Sequence, residues 1–257
     1  MIKRIICLAF LVLLSSAQFT RAKSTQQTET HRLTEVGKGI YLAQTTARLF
    51  NSNALVVIND EDVLVVDSHI TPTKGRELIS SISSLTSKPV TTLINSHFHF
   101  DHSHGNQAFT DERSPYSTGL EIIGHEFTRQ MMSDSPLEQG TFKRGLSGTK
   151  GAVERLGGQL KNSKDISQRE KIQSQYDLMR SHLSEWDEIA PVAPTLSFTD
   201  RMTLFRGSRE IQIHFFGRAH TGGDVVVYFP EDKLAFTGDM MLAGPSWLGD
   251  GYVDEFP

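Results

Sequence analysis

Six consecutive residues restrict this chain more than any other feature: His97-Phe98-His99-Phe100-Asp101-His102, an H-x-H-x-D-H string. Three imidazoles and a carboxylate crowded into one turn of chain compete for hydrogen bonds and desolvate one another unless something organises them. Nitrogen and oxygen donors of this kind suit a borderline divalent metal such as zinc. Any fold built on this sequence must therefore deliver the string to a polar pocket at the end of a well-anchored element. The alternative, a solvated histidine-rich loop, explains a lone pair of histidines better than this four-ligand run with its flanks.

The flanks supply the anchor. Val90-Thr91-Thr92-Leu93-Ile94 reads as a strand that leads straight into His97. Before it, Gly39–Ala43, Ala54–Ile58 and Val63–Val66 are short apolar, β-branched runs, the last two joined by a turn at Asn59-Asp60-Glu61-Asp62. Thr73 to Leu85 has helical spacing, with Leu78, Ile79, Ile82 and Leu85 on one face. Glu121–Gly124 is a further strand. Strands resume at Thr195–Phe198, Met202–Phe205, Ile211–Phe216, Asp224–Phe229 and Leu234–Thr237. Alternating strands and helices indicate an α/β layered domain. Residues 125–190 lack strand signal and read as a helical insertion, a candidate lid. Within it Ser167-Gln168-Arg169-Glu170 resembles a capping box, followed by Ile172, Tyr176, Met179, Leu183 and Trp186 on one face. Packing accounts for Tyr176 and Trp186 better than cofactor stacking does.

The N-terminus predicts export. Lys3 and Arg4 precede an apolar run from Ile5 to Leu14, and small residues allow cleavage after Ala17 or Ala22. Residues 1–22 are thus expected to be a signal peptide, 23–33 a disordered leader, and 34–257 one domain in a periplasmic or secreted bacterial protein. The only cysteine, Cys7, lies inside the apolar run, so a processed chain has neither disulfide nor thiolate. Its metal ligands can only be nitrogen and oxygen. The net charge of −4 and the absence of a basic run give no footprint for nucleic acid. Nothing after residue 22 is apolar for long enough to span a bilayer. A small-molecule substrate remains as the expected partner, and the sequence is silent on oligomeric state.

Three further polar signals stand at predicted strand ends: Asp67, Ala219-His220-Thr221-Gly222-Gly223 and Thr237-Gly238-Asp239. Each alone is unremarkable, since an aspartate after a strand is more often a turn residue. Taken in order with the H-x-H-x-D-H string, they resemble the metallo-β-lactamase superfamily from about residue 35 onward. The resemblance implies an αββα sandwich with its metal site at one edge of the paired sheets. It implies that His97, His99 and His220 bind a first metal, that Asp101 and His102 bind a second, and that Asp239 bridges the two. Asp67 would orient the histidine loop, and His69 and His104 are candidate substrate contacts, with local hydrogen bonding an equal alternative. Core packing is the simpler expectation for Met240, Met241 and Trp247.

By the same resemblance the chain is expected to be a hydrolase, with two zinc ions activating water against a lactam, lactone or thioester and Asp101 serving the catalytic step. A mononuclear iron oxygenase using His97, His220 and Asp239, akin to the persulfide dioxygenases, is the alternative. A non-catalytic metal-binding fragment is the other. Two departures stand out. No histidine follows Asp239 within the remaining 18 residues, so a fifth family motif and the closing strand–helix unit are expected to be missing. His125, His182 and His214 precede the bridge and cannot replace it. An aspartate rather than a cysteine occupies the bridging position, which separates the chain from many dedicated β-lactamases.

Overall fold

A computed structural model describes residues 24–46, 52–133, 140–242, 244 and 247–257. The basic and apolar segment read as a signal peptide, with Cys7, Ala17 and Ala22, lies outside the described residues. Eight strands form one sheet in sequence order: β1 (Thr25–Gln27), β2 (His31–Gly37), β3 (Ile40–Thr45), β4 (Asn53–Ile58), β5 (Val63–Val66), β6 (Val90–Ile94), β7 (Glu121–His125) and β8 (Leu196–Phe198). Pairing is antiparallel from β1 to β5 and parallel from β5 to β8. A second sheet of four antiparallel strands has β9 (Arg201–Arg206), β10 (Arg209–His214), β11 (Val226–Phe229) and β12 (Leu234–Phe236).

The central strands are buried on both faces, which is why they read as continuous apolar runs. Alternation sends Val63 and Val65 to one side, against Leu78, Ile79 and Ile82 of helix α1 (Pro72–Leu85) and Phe109 of α3 (Asn106–Thr110). Leu64 and Val66 point the other way, into the layer between the sheets with Ile211, Ile213, Val227 and Phe229. Each such aliphatic side chain contributes about 1.5–3 kcal/mol of burial. The mixed α/β layering agrees with the fold expected from the sequence. Among the described residues no helix, α2 (Phe100–Ser103) included, makes an extensive contact with the outer face of the smaller sheet, where Phe205 stays 68% exposed.

Residues 126–133, 140–162 and 166–185 form helices α4 (Glu126–Ser133), α5 (Gly140–Asn162) and α6 (Ile166–Glu185), with α5 packed along α6. The helix cap differs from the expected capping box. Asp165, not Ser167, is the N-cap, and its carboxylate accepts from the Gln168 N–H at 2.7 Å. A negative side chain two residues earlier complements the helix dipole better than a hydroxyl. No helix among the described residues is long and apolar enough to cross a membrane.

The polar stretch expected to be a disordered leader is ordered from residue 24 onward. Thr25–Gln27 pairs with β2, and His31 is fully buried. Backbone pairing and one buried histidine compensate for a composition that has almost no apolar residue. His31 Nε2 lies 3.0 Å from His69 Nε2, and the outer nitrogens meet hydroxyls, His31 Nδ1 at Ser81 Oγ (3.1 Å) and His69 Nδ1 at Ser52 Oγ (2.9 Å). Burial, helped by the Lys74 charge, holds the His31 pKa down to about 4. Such a histidine takes up its proton mainly on unfolding. The stability present above the unfolded pKa of about 6.5 is then lost as the pH falls toward 4. Urea titrations at pH 7 and pH 4 are expected to show His31 alone costing about 3 kcal/mol, a loss absent from His31→Gln. Identical pH dependence in both proteins would refute this.

Candidate metal centre

The site is assembled where β5 and β6 end and where the loops before β11 and after β12 arrive. Val66 hands the chain to Asp67, which sits in the left-handed region at φ 61° and is completely buried. That strained turn is held by its side chain. Asp67 Oδ1 accepts from the Ser96 backbone N–H and Oδ2 accepts from the Ser96 hydroxyl, both at 2.7 Å. Oδ2 also accepts from His102 Nδ1–H at 2.7 Å. Burial pushes the Asp67 carboxyl upward in pKa, and His102 and Ser96 oppose the shift.

These bonds decide which ring nitrogens are bare. Ser96 gives its hydroxyl hydrogen to Asp67, so Ser96 Oγ accepts from His97 Nδ1–H at 3.0 Å. His97 Nε2 is left as a lone pair, buried and without a hydrogen-bond partner. His102 donates through Nδ1, which turns its Nε2 toward Asp239 Oδ1 (3.3 Å) and Asp101 Oδ2 (3.5 Å). His99 uses its Nε2 on Asp250 Oδ2 at 3.2 Å, so its Nδ1 faces inward, 2.9 Å from His220 Nε2. Three histidines are thus each tied down through one nitrogen to a carboxylate, directly or through Ser96. That is how proteins present imidazole to a metal.

The inward-facing atoms converge. One set, from His97, His99 and His220, and another, from His97, His102 and Asp239, each has all its donor atoms within 4.8 Å of one another. Asp239 connects them, reaching His102 as above and His220 Nε2 at 3.6 Å. Burial, and then the charges of neighbouring histidines, hold His97 well below the usual imidazole range and His220 down to about 4. Neutral imidazole is the form a metal requires. His102 is the exception: burial lowers it, but Asp101, Asp67 and Asp239 together raise it well above its ordinary value. A cation would displace the proton those carboxylates draw there. The donor types, their convergence and the orphaned His97 Nε2 fit a metal.

Gly238 makes the bridge possible. Its φ is 52°, and a Cβ there would lie 2.8 Å from Ser96 Oγ. Gly105 does the same for the ligand string, since a Cβ would fall 1.8 Å from the Ser68 carbonyl oxygen. The His220 loop is tied in by Val225 N–H donating to the Ser96 carbonyl (2.9 Å).

All six residues expected as ligands, His97, His99, Asp101, His102, His220 and Asp239, lie at this one place, and Asp67 braces them. His69 and His104 do not belong to the cavity. His69 is turned into the His31–Ser52 network, and His104 is 4% exposed among Phe100, Phe142 and Trp186. Burial lowers the His104 pKa to about 3. His69 is a local hydrogen-bonding residue and His104 a packing residue, its Nδ1 buried without a hydrogen-bond partner, because the chain around both faces inward. Trp247 and Met241 depart from the core packing expected of them, at 50% and 76% exposed.

The sequence reading missed Ser96 and Asp250. Asp250 stands in a Gly-Asp-Gly turn, where an aspartate signals only a turn, and His99 is 151 positions away. Arg144 of α5 also binds the Asp250 carboxylate, so the helical insertion steadies the same contact. Asp250→Ala is expected to lower metal affinity about 10–100-fold, with Asp250→Asn retaining part of it. Competition with a chromophoric chelator measures this, and unchanged affinity would remove Asp250 from the site.

A cavity of about 470 Å3 opens onto the centre, lined by His99, Asp101, His220 and Asp239 on one side. Phe100, Trp247 and the Arg144–Thr149 part of α5 form the other. Comparison with known proteins gives a match over residues 47–256 to the family model of the metallo-beta-lactamase superfamily. A metallo-beta-lactamase type 2 of Elizabethkingia meningoseptica is 33% identical over 64 residues, which is 23% of this chain and 26% of that enzyme. A metallo-beta-lactamase from Pontibacter korlensis superposes with a TM-score of 0.57 at 16% identity, over 86% of this chain and 79% of its own. One from Erythrobacter litoralis, solved with beta mercaptoethanol in its active site, gives 0.55 at 16% identity over 89% and 81%.

Proposed function

The chain belongs to the metallo-beta-lactamase superfamily, and from that premise we propose that it is an exported zinc-dependent hydrolase of acyl bonds in a lactam, lactone or thioester. The observation that carries the proposal is the pair of donor sets described above, joined by Asp239. When bound there, zinc would lower the pKa of a water toward neutrality and place positive charge beside the acyl oxygen. The chain's own groups have distinct tasks. His97, His99 and His220 would hold the first ion, and Asp101 and His102 the second. Asp239 keeps the two halves at a fixed spacing. Asp101, at the cavity edge, would orient the attacking water through its carboxylate and carry the proton to the leaving group. Phe100 and Trp247 limit water access from the α5 side. The basic and apolar N-terminal residues support export, and the cavity's size suits a small molecule.

The test is metal analysis of anaerobically purified protein, followed by assays with a chromogenic lactam, a lactone and a thioester. Zinc content with turnover of at least one of these is expected. Stoichiometric iron with oxygen consumption would overturn the proposal in favour of an oxygenase.

A further inference from the structure

The cavity has two chemically different walls. The metal-facing wall is all imidazole and carboxylate. The opposite wall comes from α5, Phe100 and Trp247 and is mostly apolar. Gly145 lies so close to the residues beneath it that a Cβ would meet Trp186 Cη2 at 2.8 Å and Phe100 Cε1 at 3.2 Å. That close approach fixes the height of the helix over the site. One turn on, Gly148 is different: it lines the cavity, and a Cβ there would meet nothing within 4 Å. Open space therefore continues to the helix backbone. The Thr149 hydroxyl, which also lines the cavity, is turned back to donate to the Gly145 carbonyl at 2.8 Å. Arg144, the charged residue among the described residues of this wall, is held by Asp250 and lies over the Trp247 ring at 5.2 Å. What remains facing the cavity is the Phe100 ring, the Trp247 ring and glycine backbone.

We infer that this wall is a subsite for an apolar, phenyl-sized group carried on the substrate's non-reacting part, with Gly148 as the residue that sets its depth. The inference rests on the metal-hydrolase reading above, since it takes the metal-facing wall to hold the reacting atoms. A slot that is bare at Gly148 accepts a ring flat against the helix. The same slot with a side chain at that position does not. Among the described residues the α5 segment of the helical insertion supplies the glycine part of this wall, beside Phe100 and Trp247 from the rest of the domain. The insertion would therefore select substrates by their non-reacting part.

Two thiols serve as probes because thiolate sulfur binds zinc whether or not the protein hydrolyses anything. 2-Phenylethanethiol and 2-mercaptoethanol share the anchoring group and differ in the ring. Titrated calorimetrically into zinc-loaded protein, the phenyl compound is expected to bind about 10–100-fold tighter, the gain for burying a ring of that size. Gly148→Leu is expected to erase most of that preference while zinc content and 2-mercaptoethanol affinity stay as they were. Gly148→Ala, a gentler change in a helix, is expected to retain most of it. Equal affinity of the two thiols for the unaltered protein overturns the inference without any variant. Retention of the full preference by Gly148→Leu overturns the assignment to Gly148. A preserved preference in a protein that turns over no acyl compound would defeat the hydrolase reading and leave the subsite standing.

Discussion

Alanine in place of His220 is expected to reduce metal affinity at the first site by more than ~100-fold, beyond the loss typical of residues that only support a ligand. His220 Nε2 is 2.9 Å from His99 Nδ1 and 3.6 Å from Asp239 Oδ2, so it is the member that closes the first donor set against the bridge. Without it, His97 and His99 remain as two imidazole donors, and two imidazoles do not make a tetrahedral site. Hydrolysis is expected to fall with metal occupancy and to recover only in part at high metal concentration. Equilibrium dialysis with metal analysis gives the affinity, and circular dichroism shows whether the fold survives. Full metal content in a folded His220→Ala protein would contradict the assignment. His214→Ala is the natural control: that side chain bonds Gln212 Oε1 at 3.0 Å and takes no part in the centre.

The second large effect belongs to a residue that would touch no metal. Asp67→Ala strands three donors at once, the Ser96 N–H, the Ser96 hydroxyl and His102 Nδ1–H, in a region with no water access. Removing one partner of a buried charged pair costs about 3–5 kcal/mol. A non-glycine residue left at φ 61° without its anchoring bonds adds to that. Metal binding should weaken as well, because His102 and, through Ser96, His97 lose the bonds that fix their tautomers. Asp67→Asn separates the two effects. Its amide oxygen can still accept, so stability recovers in part, while the charge that supports His102 is gone. Chemical unfolding with and without metal measures both, and a loss under about 1 kcal/mol for Asp67→Ala would show that the network is not structural.

Much of this was legible in the chain itself because it is written in local patterns. The apolar runs at Ala54–Ile58, Val63–Val66 and Val90–Ile94 are strands in the structure, since burial on both faces leaves no room for polar residues. The ligand string, His220 and Asp239 were recognisable by residue type and by order along the chain. The polar stretch around His31 was misread because composition reports average burial, and one histidine buried against His69 and Ser81 is invisible to an average. His69 and His104 were candidates for the cavity only because they neighbour it in sequence. Which way a loop residue faces depends on what packs above it.

The sequence by itself determined the donor chemistry and the layered α/β class. With its one cysteine at position 7, the rest of the chain brings nitrogen and oxygen donors, and the ligand string brings histidine and aspartate; strand and helix periodicity fixed the alternation of layers. Tertiary structure alone decided which nitrogen of His97, His99 and His102 faces the centre, because that depends on Asp67, Ser96 and Asp250, and Asp250 is 151 positions from its partner His99. It also decided the apolar far wall, where Gly148 stands open only because Gly145 lets α5 settle onto Trp186 and Phe100. Residue type sets what a group can bind. Its direction and its neighbours are set by contacts between parts of the chain that no local pattern relates.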